Sequence, residues 1–511
     1  MKIIYTTIIL WAITMLNLAA FAQGNDSLYR FDATLMGTYA GPKVVPFWMR
    51  ANQYGSTPLE GASVSFLVRA TKEYAFKNYN QALSRESSKW DWGYALEARA
   101  NVGASANVQL IDAHIKAKYS IFEVKLGRTK DVMGLNGDTL LSSGNFAVSG
   151  NALGIPSLNL AVSDYYRIPM FDGLISLKGN LSYGYMGKMY INENKLVLPM
   201  EDNRLKTVYH QKSLYGRIGK ESWRVNLFGG INHHAQYGSE KKIYGDVFEL
   251  NTIESLWYVF FGKSYGGIGV PRSKLGNQQG SIDLGMTYDW DNIQVMGYRQ
   301  NFYDVGAIAK LANIRDGLNG ITITNKLFNK VPKKFDWHKL LVEFFYSKDQ
   351  AGYPWSKRTK SGDEDYYNNF FYLQGWSYKD VGIGSPLIVT ANTAKEGQAH
   401  YPNDYFISNR VVAGHIGFSG RVSTWLFQAK LTASKHYGTF ATSEFGKSTG
   451  VIWAPPYKDQ FVPVMQYSSY LQAERLLKKQ LYIGFKVAAD YGKMFNNSVA
   501  AQLSIRKSFP Y

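Results

Sequence analysis

Residues 111–121 read IDAHIKAKYSI and alternate between apolar and polar side chains without a break. The residues of the apolar face are Ile111, Ala113, Ile115, Ala117, Tyr119 and Ile121. Side chains of a β-strand point alternately to its two faces, so this stretch predicts a strand with one apolar and one charged surface. An antiparallel sheet over a soluble core would produce the same pattern, so the rest of the chain has to decide between the two folds.

The N-terminal residues read as an export signal. A lysine precedes an apolar run over residues 3–20, and a small-x-small cleavage site ends at Ala22. The run is short for a bilayer and no basic stop signal follows it, which favours cleavage over a membrane anchor. We therefore predict that residues 1–22 are a cleaved signal peptide and that residues 23–511 form one barrel domain.

The remaining chain has no stretch of 18 apolar residues, and the mean hydropathy of all 511 residues is -0.24. Both values argue against a protein with several membrane helices. Strands that cross a bilayer must close into a barrel, because lipid satisfies no backbone hydrogen bonds. Further segments with the same alternation are 94–102, 122–126, 175–183, 282–289, 425–434, 481–490 and 499–506. The length allows roughly 16 to 18 strands of about 10 residues, and 15% aromatic residues suit girdles at both membrane interfaces.

The charge and the cysteine count limit the possible partners. With no cysteine, the chain can form neither a disulfide nor a thiolate metal site. Lys and Arg number 57 against 39 Asp and Glu, a net charge of +18. These cations are scattered singly without a basic helix or run, which argues against nucleic acid and favours an anionic polysaccharide or the phosphates of lipopolysaccharide. A solvated surface without a chosen partner is the open alternative.

Two regions fit the strand pattern poorly. Residues 301–330 contain an apolar run from Ala307 to Ile314, which predicts a short helix in a loop or in the lumen. Residues 349–385 are rich in Gly, Tyr and Asp and predict a long loop. Long loops of such barrels lie outside the cell, so a partner would be met there.

A series of short motifs follows in a definite order along the chain. They are Gly127-Arg128, Gly137-Asp138, 141–145 (LSSGN), 149–152 (SGNA), Ile155-Pro156, 230–238 (GINHHAQYG), 276–283 (GNQQGSID), 316–320 (DGLNG), 366–368 (YYN), 375–378 (GWSY) and 434–439 (SKHYGT). Over roughly residues 45–440, this order resembles the Wzi family of outer-membrane capsule-assembly proteins, in its Bacteroidetes branch. The resemblance implies an all-β, transmembrane antiparallel β-barrel of about 18 strands, with a lumen partly obstructed by helical or loop segments. It also implies a lectin that holds capsular polysaccharide at the cell surface.

A lectin needs flat apolar faces, hydrogen-bonding groups and, for an acidic glycan, Arg or Lys. Candidates in the predicted long loop are the aromatic residues Trp355, Tyr366, Tyr367 and Trp376. The interfacial girdle or loop packing is the alternative role for each ring. Candidates in the Ser-Gly-Asn segment are Arg128, Asn145 and Asn151. This segment alternatively forms a structural turn, and it would act as a plug if its backbone entered the lumen.

His233 and Gln236 complete the candidate ligand-binding residues. Adjacent histidines on a strand point to opposite faces, so His233 and His234 cannot serve one metal site, and no nearby Cys or carboxylate completes a shell. We predict His233 to be a hydrogen-bonding residue of the lumen. The acidic run 363–365 lacks the ligand spacing of a calcium loop and predicts a solvated loop tip.

No nucleophile, base and orienting group can be placed together, so we predict neither an enzyme nor a cofactor. The sequence favours a non-catalytic barrel that binds capsular or other exported polysaccharide. Its other expected partners are outer-membrane lipids and the barrel assembly machinery. A porin or saccharide channel is the main alternative, because it needs the same apolar outside and polar inside, and a structural or secretion-partner barrel is the third.

Overall fold

The computed structural model describes residues 28–41, 44–75, 90–193, 203–267, 270–304, 306–330, 333–354, 364–448 and 453–510. The predicted signal peptide lies outside the described residues. Trp355 and Asp363 also lie outside them.

Within the described residues, one antiparallel sheet of 18 strands closes on itself. In chain order the strands are β1 (Tyr29–Gly41), β2 (Ser63–Lys72), β3 (Trp90–Val102), β4 (Ala106–Tyr119), β5 (Phe122–Arg128), β6 (Ser157–Arg167), β7 (Ile175–Tyr190), β8 (Arg204–Ile218), β9 (Val225–Tyr237), β10 (Asn277–Asp289), β11 (Ile293–Tyr303), β12 (Gly317–Asn325), β13 (Phe335–Tyr346), β14 (Val411–Val422), β15 (Trp425–His436), β16 (Val464–Lys478), β17 (Leu481–Gly492) and β18 (Ser498–Pro510). Each strand pairs with its neighbours in sequence, and β18 pairs back with β1, with Gly41 opposite Val499. The predicted barrel is confirmed, and all the segments with clear alternation are barrel strands.

The remaining elements are short. The helices are α1 (Phe47–Arg50), α2 (Glu240–Tyr244) and α3 (Thr252–Phe260), and 3-10 turns span Met170–Gly173, Gly245–Val247, Ala307–Lys310 and Ala391–Thr393. Small hairpins pair Ser264–Gly267 with Val270–Lys274, Ser377–Tyr378 with Val381–Gly382, Val389–Thr390 with Phe406–Ser408, and Lys447–Ser448 with Trp453–Ala454. The apolar run after residue 306 therefore forms one 3-10 turn. No helix in the described part of the chain is long and apolar enough to span a bilayer.

The barrel is apolar outside and polar inside, as the alternation predicts. On β9, Leu227 and Ile231 are exposed on the outer face, whereas Asn232 and His234 are fully buried on the inner face. The β4–β5 hairpin turns at Ser120, which has a φ of 56°. A protein that crosses a bilayer with β-strands needs an apolar exterior and a sheet without free edges, and this barrel has both.

Ile111 departs from the predicted pattern. Glu97 pairs with Asp112 while the next residue, Ala98, pairs with Leu110, so Ile111 is the extra residue of a β-bulge. Its side chain is buried instead of facing outward with Ile115. One extra residue in a strand is enough to shift the alternation, because the side-chain period is two.

Aromatic residues form two exposed girdles. Near one end of the barrel they include Trp90, Tyr119, Phe122, Trp223, Trp290 and Phe335. Near the other end they include Tyr39, Tyr185, Phe344, Tyr467 and Tyr491. Such girdles mark the two membrane interfaces of a barrel, in agreement with the aromatic composition.

The two ends of the barrel differ in their connections. Tight turns such as 120–121, 423–424 and 479–480 lie at the end where β1 begins and β18 ends, which we call the turn end. The connections 129–156, 238–276 and 347–410 lie at the opposite end, the loop end. We use the name plug for residues 44–62, 129–156 and 364–410, whose side chains contact the inner wall.

Candidate functional site

Glu343 anchors the first part of the plug. It lies on the inner face of β13 and is 2% exposed. Its carboxylate accepts hydrogen bonds from the Ser142 hydroxyl at 2.7 Å and from the backbone N–H and hydroxyl of Ser143 at 2.7 and 2.6 Å. Tyr298 of β11 donates a further hydrogen bond at 2.5 Å. These hydrogen bonds satisfy the acceptor oxygens of the buried carboxylate. They also hold Ser142 and Ser143 inside the lumen.

Neighbouring contacts extend this anchorage. The Gln300 side-chain amide of β11 donates to Asn145 at 3.1 Å, and the backbone N–H of Leu135 donates to Asp283 of β10 at 2.8 Å. The carbonyl oxygen of Leu141 lies 2.7 Å from His415 of β14. The Ser-Gly-Asn segment therefore enters the lumen, which is the condition under which the sequence predicts that it acts as a plug.

Residues 364–410 form the second large part of the plug. The indole of Trp376 stacks on His234 with ring centroids 4.0 Å apart and an interplanar angle of 11°. The Tyr366 hydroxyl donates to Asp316 at 2.8 Å. Tyr367 donates to the Phe146 carbonyl and accepts from the Ser385 N–H, which joins this segment to the Ser-Gly-Asn segment.

This arrangement corrects the prediction for the long loop. Tyr366, Tyr367 and Trp376 are fully buried, so their rings present no face to a glycan outside the plug. The loop-packing alternative describes them, because Trp376 stacks on the wall and Tyr367 packs against Phe146 and Phe406 within the plug. The segment folds into the barrel. The sequence pattern instead predicts a loop that projects from it.

The other predicted residues also serve the fold. His233 lies on the outer face of β9 and contacts Gln278, so the prediction that it lines the lumen is wrong, and His234 lies there instead. The Gln236 side chain donates to the Gly375 carbonyl of the plug at 3.0 Å. Arg128 donates to the Leu110 carbonyl at 2.7 Å.

A cavity of about 430 Å³ opens among the connections at the loop end. Its walls come from the β1–β2, β3–β4, β5–β6, β13–β14 and β17–β18 connections. The volume falls within the range of roughly 300–1,000 Å³ that is typical of small-molecule sites. Of the residues that the sequence predicts, Asn151 lines this cavity. Its amide accepts from the Asn52 N–H at 3.1 Å and donates to the Gly382 carbonyl at 3.0 Å.

The cavity lining combines apolar and polar side chains. Its hydrogen-bonding residues include Thr57, Ser105, Asn107, Gln109, Asn151, Thr390, Asn392 and Thr393. Its charged residues are Arg50, Glu60, Lys379 and Asp380. The two positive and two negative charges balance. The cavity therefore offers a ligand many hydrogen-bond donors and acceptors but no net charge. That is the chemistry that sugar hydroxyls require.

Arg50 is the most constrained of these charged residues. Its guanidinium carbon lies 5.0 Å from the centroid of the Phe495 ring, and Phe47 stacks on the same ring at 5.3 Å. Burial lowers the pKa of Arg50, and the nearby Asp490 carboxylate opposes that shift. The Arg50 Nε atom has no hydrogen-bond partner among the described residues. This buried donor is therefore one of the few polar atoms of the site that the protein itself leaves unsatisfied.

Lys447 ties the β15–β16 connection to the plug. Its ammonium lies 3.1 Å from the Asp404 carboxylate and 3.2 Å from Asp365. Burial raises the pKa of Asp404 to about 6, while the Lys447 ammonium opposes that shift. A fourth connection of the loop end is thereby held against the plug.

Sequence reasoning missed most of the cavity. Lys379 and Asp380 occupy the turn of a small hairpin with φ angles of 52° and 65°, and Arg50 ends a four-residue helix. Neither element gives a periodic signal. These residues come together only because five connections that are far apart in the sequence meet at the loop end. No sequence motif indicates this arrangement.

Comparison with models of known protein families and with curated proteins gave no match. Among solved structures, the chain is similar to Wzi of Escherichia coli, described as an outer-membrane protein involved in group 1 capsule assembly and as a carbohydrate-binding β-barrel. The two share 9% identity over 98% of this chain and 87% of that chain, with a TM-score of 0.54. OccAB4 of Acinetobacter baumannii shares 8% identity over 95% and 98%, with a TM-score of 0.44. OccK2 of Pseudomonas aeruginosa, solved with glucuronate, shares 8% identity over 95% and 99%, with a TM-score of 0.42. At 9% identity the likeness to Wzi shows the barrel fold alone.

Proposed function

We propose that this protein is an outer-membrane barrel that binds or organises exported polysaccharide at the cell surface and performs no covalent chemistry. The cavity at the loop end, with its many hydrogen-bonding side chains, is the observation that carries the proposal. A glycan presents many hydroxyls, and this cavity offers amide, hydroxyl and charged groups from five connections. Arg50 and Lys379 additionally suit the carboxylates of an acidic polysaccharide.

The location of the cavity fits a surface role. Long connections of bacterial barrels face the outside of the cell and short turns face the periplasm. The cavity lies at the loop end, where exported polymer would be met. The barrel wall below it presents an apolar belt with aromatic girdles, which suits the outer membrane.

The plug supports binding over transport. Buried anchors such as Glu343 and Trp376 hold two segments across the lumen. Releasing them would expose buried polar and aromatic groups, which is costly. A channel needs a continuous water-filled path, and the anchored segments leave less of the lumen for such a path.

Capsule microscopy tests the proposal in cells. A deletion strain that carries the wild-type gene should retain its surface polysaccharide, whereas the empty deletion strain should lose it. Ser105→Trp fills the cavity from an exposed position and should fail to restore retention. Lys242→Trp is the matched control, because Lys242 is exposed at the same end but does not line the cavity. Unchanged surface polysaccharide in the deletion strain would contradict the proposal.

Conductance in a planar bilayer separates binding from transport. The purified wild-type protein should give negligible steady current. A large steady current would favour a porin or saccharide channel instead. Purification of another envelope protein with the barrel, with neither activity present, would favour a structural or secretion-partner role.

A further inference from the structure

Part of the outer wall is polar, in contrast to the rest of the belt. On the outer face of β8, Leu214 and Ile218 are 54% and 52% exposed, as lipid-facing residues should be. His210 and Lys212 lie on the same face nearer the loop end. His210 is nevertheless fully buried, so another part of the chain covers the wall at this point.

The cover is the β9–β10 connection, and α3 is its central element. The Phe260 ring lies 5.7 Å from the His210 ring centroid, and the Lys212 ammonium lies 4.1 Å from the Phe260 centroid. Ser255 and Val259, which lie four residues apart on one side of α3, are buried. Because His210 and Lys212 face outward, α3 packs on the outside of the barrel and does not belong to the plug.

The opposite face of α3 is apolar and exposed. Ile253, Trp257 and Phe261 follow one another at a spacing of four residues and are 78%, 56% and 52% exposed. They therefore form one stripe along the helix, and the rings of Trp257 and Phe261 are 4.4 Å apart. A capping box between Asn251 and Glu254 fixes where the helix begins. We call these three residues the α3 stripe.

The strand register gives the level of α3 relative to the lipid-facing belt. Across β8, β9 and β10, Lys212, whose ammonium contacts Phe260, lies in one outward row with His233 and Gly280. The next outward row toward the turn end is Leu214, Ile231 and Ile282. Consecutive outward rows are two residues apart, or about 7 Å. The α3 stripe thus lies at the upper border of the apolar belt.

We infer that α3 is an interfacial helix whose stripe inserts into the outer leaflet of the membrane that holds the barrel. Trp and Phe beside aliphatic residues suit the boundary between headgroups and acyl chains. Lys263 is exposed beside the stripe, with its ammonium 5.9 Å from the Trp257 ring centroid, where it meets a lipid phosphate. The stripe also continues the lipid-facing belt, which favours lipid over a second copy of the chain as its occupant. This role does not depend on polysaccharide binding.

A single fluorescent label tests the inference. The chain has no cysteine, so Trp257→Cys provides one attachment site for bimane on the full-length protein. The labelled barrel is inserted into vesicles of phosphatidylcholine and phosphatidylglycerol that carry a nitroxide on the upper acyl chain. The nitroxide should quench most of the emission, and aqueous iodide should quench little of it. Ile253→Cys provides a second site on the stripe if the first variant does not fold.

Two control positions calibrate the result. Val462→Cys, at a site 75% exposed in the β15–β16 connection, should respond to iodide and not to the lipid nitroxide. Leu227→Cys, on the outer face of β9, should respond to the nitroxide alone. A stripe label that behaves like the Val462 label would overturn the inference. A stripe label shielded from both quenchers only when the barrel self-associates would overturn it in favour of a contact between copies.

Discussion

Trp376 of the plug lies flat against His234 of the barrel wall, with ring centroids 4.0 Å apart and both residues fully buried. His234 faces the lumen because its neighbour His233 faces outward, so the alternation of β9 decides where the plug can stack. The contact joins residues far apart in the sequence. It shows how the inner wall holds a connection that has little regular structure of its own.

Trp376→Ala should loosen the plug while the barrel stays folded. Loss of a buried indole costs about 3–5 kcal/mol, and here that loss falls on the contact between plug and wall. Limited proteolysis should cut residues 364–410 faster than in the wild type. Trp290→Ala removes an exposed ring from the aromatic girdle and serves as the control. Equal cleavage rates for wild type and Trp376→Ala would show that the stack does not hold the plug.

Glu343→Gln should release the Ser-Gly-Asn segment. The amide keeps the shape of the carboxylate but cannot accept from all three groups of Ser142 and Ser143, and hydrogen bonds to charged groups contribute about 1.5–3 kcal/mol each. Amide hydrogen exchange over residues 129–156 should accelerate. Glu474→Gln, which breaks an ion pair with Arg506 elsewhere on the wall, should leave that segment protected. Unchanged exchange in Glu343→Gln would contradict this anchor.

Lys447→Met should destabilise the β15–β16 connection. The change leaves the carboxylates of Asp404 and Asp365 without their shared cation, and breaking a buried pair costs about 3–5 kcal/mol. Hydrogen exchange over residues 437–448 should increase. Lys458→Met, in the same connection and with no ion pair among the described residues, is the control. If both variants exchange like the wild type, the buried pair does not hold this connection.

The stability of the protein should depend on Asp316 at mildly acidic pH. Burial raises the pKa of this carboxyl, in the connection before β12, from an ordinary 3.8 to about 7. Between these values the folded protein holds a proton that the unfolded chain releases, so its contribution to stability is complete below pH 3.8 and is lost as the pH rises through 7. Asp316→Asn should flatten this part of the melting-temperature profile measured in detergent. An identical profile for wild type and variant would contradict the assignment.

The strands could be predicted from the sequence because lipid outside and polar groups inside impose a strict period of two. The burial of Ile111 could not be predicted, because a β-bulge does not change the order of apolar and polar residues in the sequence. The outward orientation of His233 could not be predicted for a different reason. A polar outward residue is tolerated where another part of the chain covers the wall, and α3 provides that cover from the β9–β10 connection.

The plug shows the limit of motif reading. The motifs around Ser143, Tyr367 and Trp376 point to a specialised region, and the structure brings them together. Residue type alone cannot say whether an aromatic ring in a connection meets a ligand or packs inside, because both uses need the same flat apolar surface. Burial decides between the uses, and burial here depends on contacts between distant segments.

Direct binding of polysaccharide tests the central claim most closely. Calorimetric titration of the purified barrel in detergent should detect binding of oligosaccharides prepared from the surface polymer of the native cells. Ser105→Trp should abolish the signal by filling the cavity, and Lys242→Trp should retain it. Absence of binding by the wild-type protein, or equal binding by Ser105→Trp, would contradict the account.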